Sequence, residues 1–143
     1  MRIRKASARD IPEVAGVLRS ELAKAPYNEK LTQRQAESAV RSIVTSGVMF
    51  VAEDRTIIGL IIAERYIWYR GPRIWVSALF IDSDHQGKGI GRKLLERVQQ
   101  HYKNATGIEL LAHRDASANI FYTKLGFRKS KYAKLEKSLR ALP

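Results

Sequence analysis

The sequence predicts a mixed α/β (α+β) fold, a twisted and mostly antiparallel sheet of six to seven strands flanked by four helices. Three observations carry this. Apolar residues recur at helical spacing over residues 11–44, β-branched and aromatic residues dominate 48–82, and helical and strand-like stretches alternate from 84 onward. At 143 residues, 45% hydrophobic and 28% charged, the chain has the size of one ordinary domain spanning residues 1–143.

The elements follow in order. Arg2-Ile-Arg-Lys-Ala6 reads as a short first strand. Ser7 and Asp10 form a capping-box-like start, followed by Ile11, Val14, Ala15, Leu18 and Leu22 at helical spacing. Pro26 ends that helix, and Tyr27–Leu31 reads as a loop. Thr32 with Gln35 is a second capping box, ahead of the stripe Ala36, Val40, Ile43, Val44, and Gly47 stops it. Val48–Glu53 and Thr56–Tyr69 are strands joined at Asp54-Arg55. Ile74–Asp82 follows Arg70-Gly71-Pro72, and its nearly continuous apolar run suits a strand covered on both faces. A helix with Ile90, Leu94, Val98 and Tyr102 inward, a strand Gly107–Ala112 and a helix Ala116–Leu125 come next. Gly126 takes the position just past that last helix. Phe127–Leu139 reads as one or two short lysine-rich strands. The order is β-α-α-β-β-β-α-β-α-β-β.

Composition narrows the function. No apolar run approaches the length of a membrane span, and the basic N-terminus lacks the apolar core of a secretory signal. There is no cysteine, so neither a disulfide framework nor a thiolate metal site is expected, and the expected location is cytoplasmic. His85, His101 and His113 lack ligand spacing, so no metal is expected. The 26 basic and 14 acidic residues leave a net charge of +12, which favours an anionic ligand or partner.

The stretch Asp84-His-Gln-Gly-Lys-Gly-Ile-Gly-Arg92 sets Gly87, Gly89 and Gly91 between an apolar strand and a helix. Glycines there let backbone amides converge on an anion, the helix dipole adds positive potential, and Lys88, Arg92 and Lys93 add charge. The ATP-binding pattern G-x-x-x-x-G-K-[ST] fails, because Asp82 stands five residues before Gly87 and Gly89 follows Lys88. The dinucleotide pattern G-x-G-x-x-G fails on spacing, and on its place after the third strand of a meander.

Gln86-Gly87-Lys88-Gly89-Ile90-Gly91 instead resembles the acyl-CoA pyrophosphate loop, [RQ]-x-x-G-x-[GA], of the GNAT superfamily of N-acetyltransferases. The resemblance extends to Leu79-Phe80-Ile81-Asp82 before the loop and to Ala118-Asn-Ile-Phe-Tyr122-Thr-Lys-Leu-Gly126-Phe127 after it, which is similar to the family's A-x-x-x-Y-x-x-x-G-F. The element order is similar over nearly the whole chain.

This resemblance implies an N-acetyltransferase that moves the acetyl group of acetyl-CoA to a primary amine. The amine would attack directly and pass through a tetrahedral intermediate. Acetyl-CoA would lie where the Ile74–Asp82 strand splays from the Gly107–Ala112 strand. Amides near Leu79, Phe80 and Ile81 would meet the pantetheine arm, and Gln86, Gly87, Lys88, Gly89, Ile90, Gly91 and Arg92 the pyrophosphate. Tyr122 would protonate the departing thiolate. Asn119, one turn earlier, either faces the cofactor or is an exposed helix residue. Asp115 stands where many members carry an asparagine that contacts CoA. Its charge opposes an anionic cofactor, though it can N-cap the helix.

The base that receives the amine's proton is open. Glu64 and Glu109 are candidates, and Ser77 occupies the strand position where relatives often place a glutamate, so a water-mediated base is an alternative. The acceptor is expected over the loop with Tyr27, Asn28 and Glu29, near Tyr66, Trp68 and Tyr69. The basic run Lys124, Arg128, Lys129, Lys131, Lys134, Lys137 and Arg140 leaves a second reading open. In it the domain is inactive and binds CoA, nucleic acid or the ribosome. The same segment could pair edge strands in a homodimer.

Overall fold

The computed structural model describes residues 1–141. Its order is β1 (Arg2–Lys5), α1 (Ile11–Leu22), α2 (Gln33–Ile43), β2 (Val48–Asp54), β3 (Thr56–Trp68), β4 (Gly71–Ile81), α3 (Ile90–His101), β5 (Gly107–Leu110) and α4 (Ala118–Lys124). Short 3₁₀ turns at Ala8–Asp10 and Ser83–His85 lead into α1 and into the glycine-rich loop. The five strands form one sheet in sequence order, antiparallel except for the parallel pair β4–β5.

Period-two alternation sorts the sheet's side chains onto two faces. Met49, Val51, Leu60, Ile62 and Ala78 pack under α1 and α2, against Val14, Leu18, Ala36 and Val40. Phe50, Ile61, Ala63, Ile74 and Val76 pack under α3, against Ile90, Leu94, Leu95 and Val98, with Phe121 of α4 beside them. The Thr32–Gln35 capping box forms as the sequence predicts. Thr32 Oγ1 accepts from the Gln35 amide at 3.1 Å, and Gln35 Oε1 accepts from the Thr32 amide at 2.9 Å. The Asp54-Arg55 turn closes the β2–β3 hairpin with Arg55 in the left-handed region, φ 66°.

The feature that shapes the molecule lies in β4. Ile62 pairs with Ala78 but Ala63 pairs with Val76, so Ser77 is an extra residue, a β-bulge. On the other side β4 pairs with β5 from Arg73–Gly107 only as far as Val76–Leu110. Pairing therefore ends where the bulge begins, and among the described residues no strand lies beside Ala78–Ile81 on that side. The same loss of partner stops β5 at Leu110, two residues short of the expected Ala112.

The expected six to seven strands reduce to five among the described residues. The segment Phe127–Leu139 forms no strand. Its large apolar residues, Tyr132, Leu135 and Leu139, are exposed and spaced three and four apart, so a strand could not bring them onto one face. Arg128, Lys129, Lys131, Lys134 and Lys137 add like charge along the segment, offset there only by Glu136. Among the described residues the outer edge of β5 carries no strand.

At the opposite edge the Ser7–Asp10 start is wired into a charge cluster. The Asp10 carboxylate accepts the Ser7 amide at 2.8 Å and both terminal nitrogens of Arg4 at 2.9 Å. Arg4 also reaches Glu53 of β2 at 3.0 Å. Asp10 is buried, and its hydrogen bonds with the Arg4 guanidinium hold its carboxyl far below the ordinary carboxylate range. The unfolded chain thus takes up Asp10's proton at higher pH than the folded one. The contribution to stability is whole above the unfolded pKa of about 4 and drains as pH falls below it. Asp10→Asn is expected to lower stability by about 3 kcal/mol at pH 7 and to flatten its fall between pH 5 and 2, read by denaturant titration at each pH.

Candidate active site

Where β4 and β5 part, a cavity of about 90 Å³ opens. Residues 76–80 of β4 form one wall and 110–112 the other, with Ala116, Ala118 and Tyr122 from the α4 side and Tyr27 from the loop between α1 and α2. The bulge puts Ser77 and the strand after it against the cavity, so Leu79 and Phe80 line it, while Ile81 lies just beyond. A wider groove of about 280 Å³ between Met1, Ile3 and the outer side of α3 is open to solvent and gathers no such convergence of groups.

The glycine-rich loop follows the end of β4 through the 3₁₀ turn Ser83–His85. Gly87 and Gly89 have φ 79° and 80°, a backbone that side-chain-bearing residues rarely adopt, and a Cβ on either would meet nothing within 4 Å. Gly89 is the N-cap of α3, so the first amides of α3 lack intrahelical partners. Gly91 differs: a Cβ there would come within 3.0 Å of Phe121, so this glycine lets α4 close on α3. Lys88 and Arg92 are exposed at the loop, and Ile90 anchors it in the core. Gln86 is exposed but held in place, donating from Nε2 to the Ile81 carbonyl at 3.0 Å. His85 accompanies Asp82, its Nδ1 2.9 Å from Oδ2.

Tyr122 is more than half-buried between Phe121 and Phe127, ring centroids 5.3 and 5.5 Å away. Burial, with a smaller part from Tyr27, pushes its phenol up to about 12, so it stays protonated through the physiological range. Tyr27 packs edge-on against Phe80 at 6.1 Å and against His113 at 5.7 Å, and burial raises its phenol too, helped by the Glu21 charge. Two phenols therefore share one small cavity.

Other expected residues fall elsewhere. Asn119 gives its amide to the carbonyls of His113 and Arg114, at 2.9 and 3.0 Å, and so ties down the loop before α4. Ser117, not Asp115, is the N-cap of α4, and the Asp115 amide donates to His113 Nδ1 at 3.1 Å. Asn28 and Glu29 are exposed and do not line the cavity. Glu64 pairs in register with Trp75, one step toward the closed end of the cleft, and accepts from Ser46 Oγ at 2.6 Å. Glu109 takes the Tyr66 hydroxyl and Arg73 Nε, the latter at 3.0 Å. Neither glutamate reaches the cavity.

The sequence reading missed Glu21, Lys24 and Ser83, which meet beneath the loop. Glu21 is 7% exposed. A carboxylate at position 21 continues the buried helical series Val14, Leu18, and that spacing was the available signal. Among the described residues no three His, Asp or Glu side chains are placed to hold a metal ion, and no helix is long and apolar enough to cross a membrane.

Comparison with known proteins follows the same outline. A family model described as "Acetyltransferase (GNAT) domain" matches residues 45–129. A "Probable spermine N(1)-acetyltransferase" of Bacillus subtilis subsp. natto is 32% identical over 63 residues, 41% of each chain, so the similarity spans under half of that relative's length. Among solved structures, a "possible acetyltransferase" from Clostridium difficile 630 superposes with TM-score 0.80 over 98% of both chains at 18% identity. An aminoglycoside acetyltransferase from an uncultured soil metagenomic sample, in complex with sisomicin, gives 0.72 over 97% of this chain and 96% of its own, at 15% identity.

The loop geometry yields a direct test. Gly89→Val forces a β-branched residue into a left-handed backbone and fills the space in front of the α3 amides. Acetyl-CoA affinity measured by calorimetry is expected to fall about 100-fold or more, with the fold retained and the melting temperature lowered only by the backbone strain at this position. Unaltered affinity would remove the loop from the donor site.

Proposed function

The chain belongs to the GNAT acetyltransferase family and is an acyltransferase, and on that premise we propose that it transfers the acetyl group of acetyl-CoA to a primary amine by direct attack. The observation that carries this reading is the pairing of one unpartnered stretch of β4 with a left-handed glycine loop at the N-terminus of α3, joined by a cavity lined by Tyr122. Residues 1–143 act in it as one acetyltransferase domain, in the cytoplasm.

In this reading the pantetheine arm lies beside β4, using the backbone of Leu79–Ile81 as a further strand would. One of those amides also meets the oxyanion of the tetrahedral intermediate. Amides from Gly87 to Arg92 hold the pyrophosphate, with the α3 dipole behind them and Lys88 and Arg92 in front. The neutral amine attacks the thioester carbonyl. Collapse of the intermediate breaks the C–S bond, and the Tyr122 hydroxyl supplies a hydrogen bond and then the proton to the departing sulfur. Burial keeps the Tyr122 phenol protonated, so its proton is available to the departing thiolate. With Glu64 and Glu109 engaged elsewhere, the amine's proton leaves through water in the open mouth of the cleft.

The acceptor site in this reading is the Tyr27 side of the cavity. Polyamines and aminoglycosides head the acceptor panel, because a relative and a structural neighbour are described as acting on or binding them. The second reading, an inactive module that binds a polyanion, is favoured by the exposed basic run Arg128–Arg140.

Thiol release decides between them. Acetyl-CoA incubated with spermine, an aminoglycoside, amino acids and a lysine peptide is expected to release CoA with at least one acceptor. No turnover with any amine, together with salt-dependent RNA binding, would favour the module. Tyr122→Phe is expected to lower kcat about 100-fold while acetyl-CoA affinity changes less than threefold. The wild-type rate should also show no falling limb below pH 11 from this phenol, checked by a pH–rate profile.

A further inference from the structure

The unexplained group is the buried carboxylate of Glu21. A buried charge is tolerated only when it is fully paired, and this one is. Lys24 Nζ donates to Oε2 at 2.7 Å. Ser83 Oγ lies 2.9 Å from Oε1 and 3.2 Å from Oε2, and it accepts from Lys24 Nζ at 2.7 Å. Gln86 Nε2, held on the Ile81 carbonyl, completes the set at 3.5 Å. The last turn of α1 is thereby tied to both ends of the 3₁₀ turn that leads into the glycine loop.

The other side of this cluster runs to the cavity. The Asn28 amide donates to the Lys24 carbonyl at 3.0 Å, and the Glu29 amide to the Leu22 carbonyl at 2.8 Å, so the loop folds back on the end of α1. Tyr27 lies within that fold, against Phe80. A displacement of Ser83 or Gln86 is therefore felt at Lys24, and from there at the wall of the cavity.

We propose that Glu21 is a positioning residue that latches the Tyr27 loop to the phosphate-holding loop, so that binding the donor orders the wall against which the acceptor sits. This rests on the donor site proposed above. Glu21 touches neither substrate; it acts through Lys24, Ser83 and Gln86.

The experiment is hydrogen exchange read by mass spectrometry on the full chain, with and without saturating acetyl-CoA. In the wild type, acetyl-CoA is expected to protect residues 84–92 and also 23–31. In Glu21→Gln, which keeps the shape but loses the charge, 84–92 should stay protected while the ligand-induced protection of 23–31 falls about tenfold. Ser83→Ala, at an exposed position that leaves the core intact, should do the same. Coupled protection of 23–31 surviving in either variant overturns the latch. So does exchange in 23–31 that rises equally with and without acetyl-CoA, which is the mark of a purely structural tie. A wild type whose 84–92 segment gains no protection overturns the donor site itself, and the latch with it.

Discussion

One extra residue in one strand organises this protein. With Ser77 bulged out of β4, the strand keeps its ladder to β3 but turns away from β5, and pairing ends at Val76 and Leu110. A continuous parallel pair would have closed the sheet and left no room for a ligand. The bulge leaves a stretch of main chain with unmet hydrogen-bonding capacity facing a cavity, which is the one arrangement in which an extended ligand can be held by backbone alone. Tyr122, Tyr27 and the glycine loop matter only because they border that gap.

The two ends of the gap are built differently. The outer end is made of backbone: two left-handed glycines and the exposed first amides of α3 form a positive concavity whose chemistry does not depend on any side chain. The inner end is made of side chains in a small apolar enclosure, where burial sets the properties of the phenols. Gly91 joins the two, since its missing side chain allows α3 and Phe121 of α4 to touch. Three glycines that look equivalent in the chain thus serve two purposes.

Charge is likewise divided. The acids are few, and the two that are buried, Asp10 and Glu21, each organise a joint between distant segments. Asp10 with Arg4 and Glu53 binds the start of α1 to the β1 edge of the sheet. Glu21 with Lys24 and Ser83 binds the end of α1 to the loop after β4. One helix is therefore pinned at both ends, and the cavity wall hangs from its second pin. The basic surplus lies outside this frame, much of it along the exposed segment after α4, where no packing restrains it.

Much of the fold was legible because its determinants are local. Helical spacing marks α1, α2 and α3, the Thr32–Gln35 box marks the start of α2, β-branched runs mark the meander, and the alternate glycines mark the turn into α3. These depend on residues a few positions apart, and sequence alone determined them, together with the family. Four things were settled only when distant segments met. Ser77 bulges because the β3 register requires it. Glu64 and Glu109 are drawn off by Ser46, Tyr66 and Arg73, which lie far from them in the chain. Phe127–Leu139 stays unpaired because the outer edge of β5 does not take it up. Glu21 is buried because Ser83 and Gln86 come from another part of the chain to receive it. A one-dimensional pattern records the period of each segment but not the partner it will find, and it is the partner that decides whether a carboxylate is a base, a surface charge or a latch.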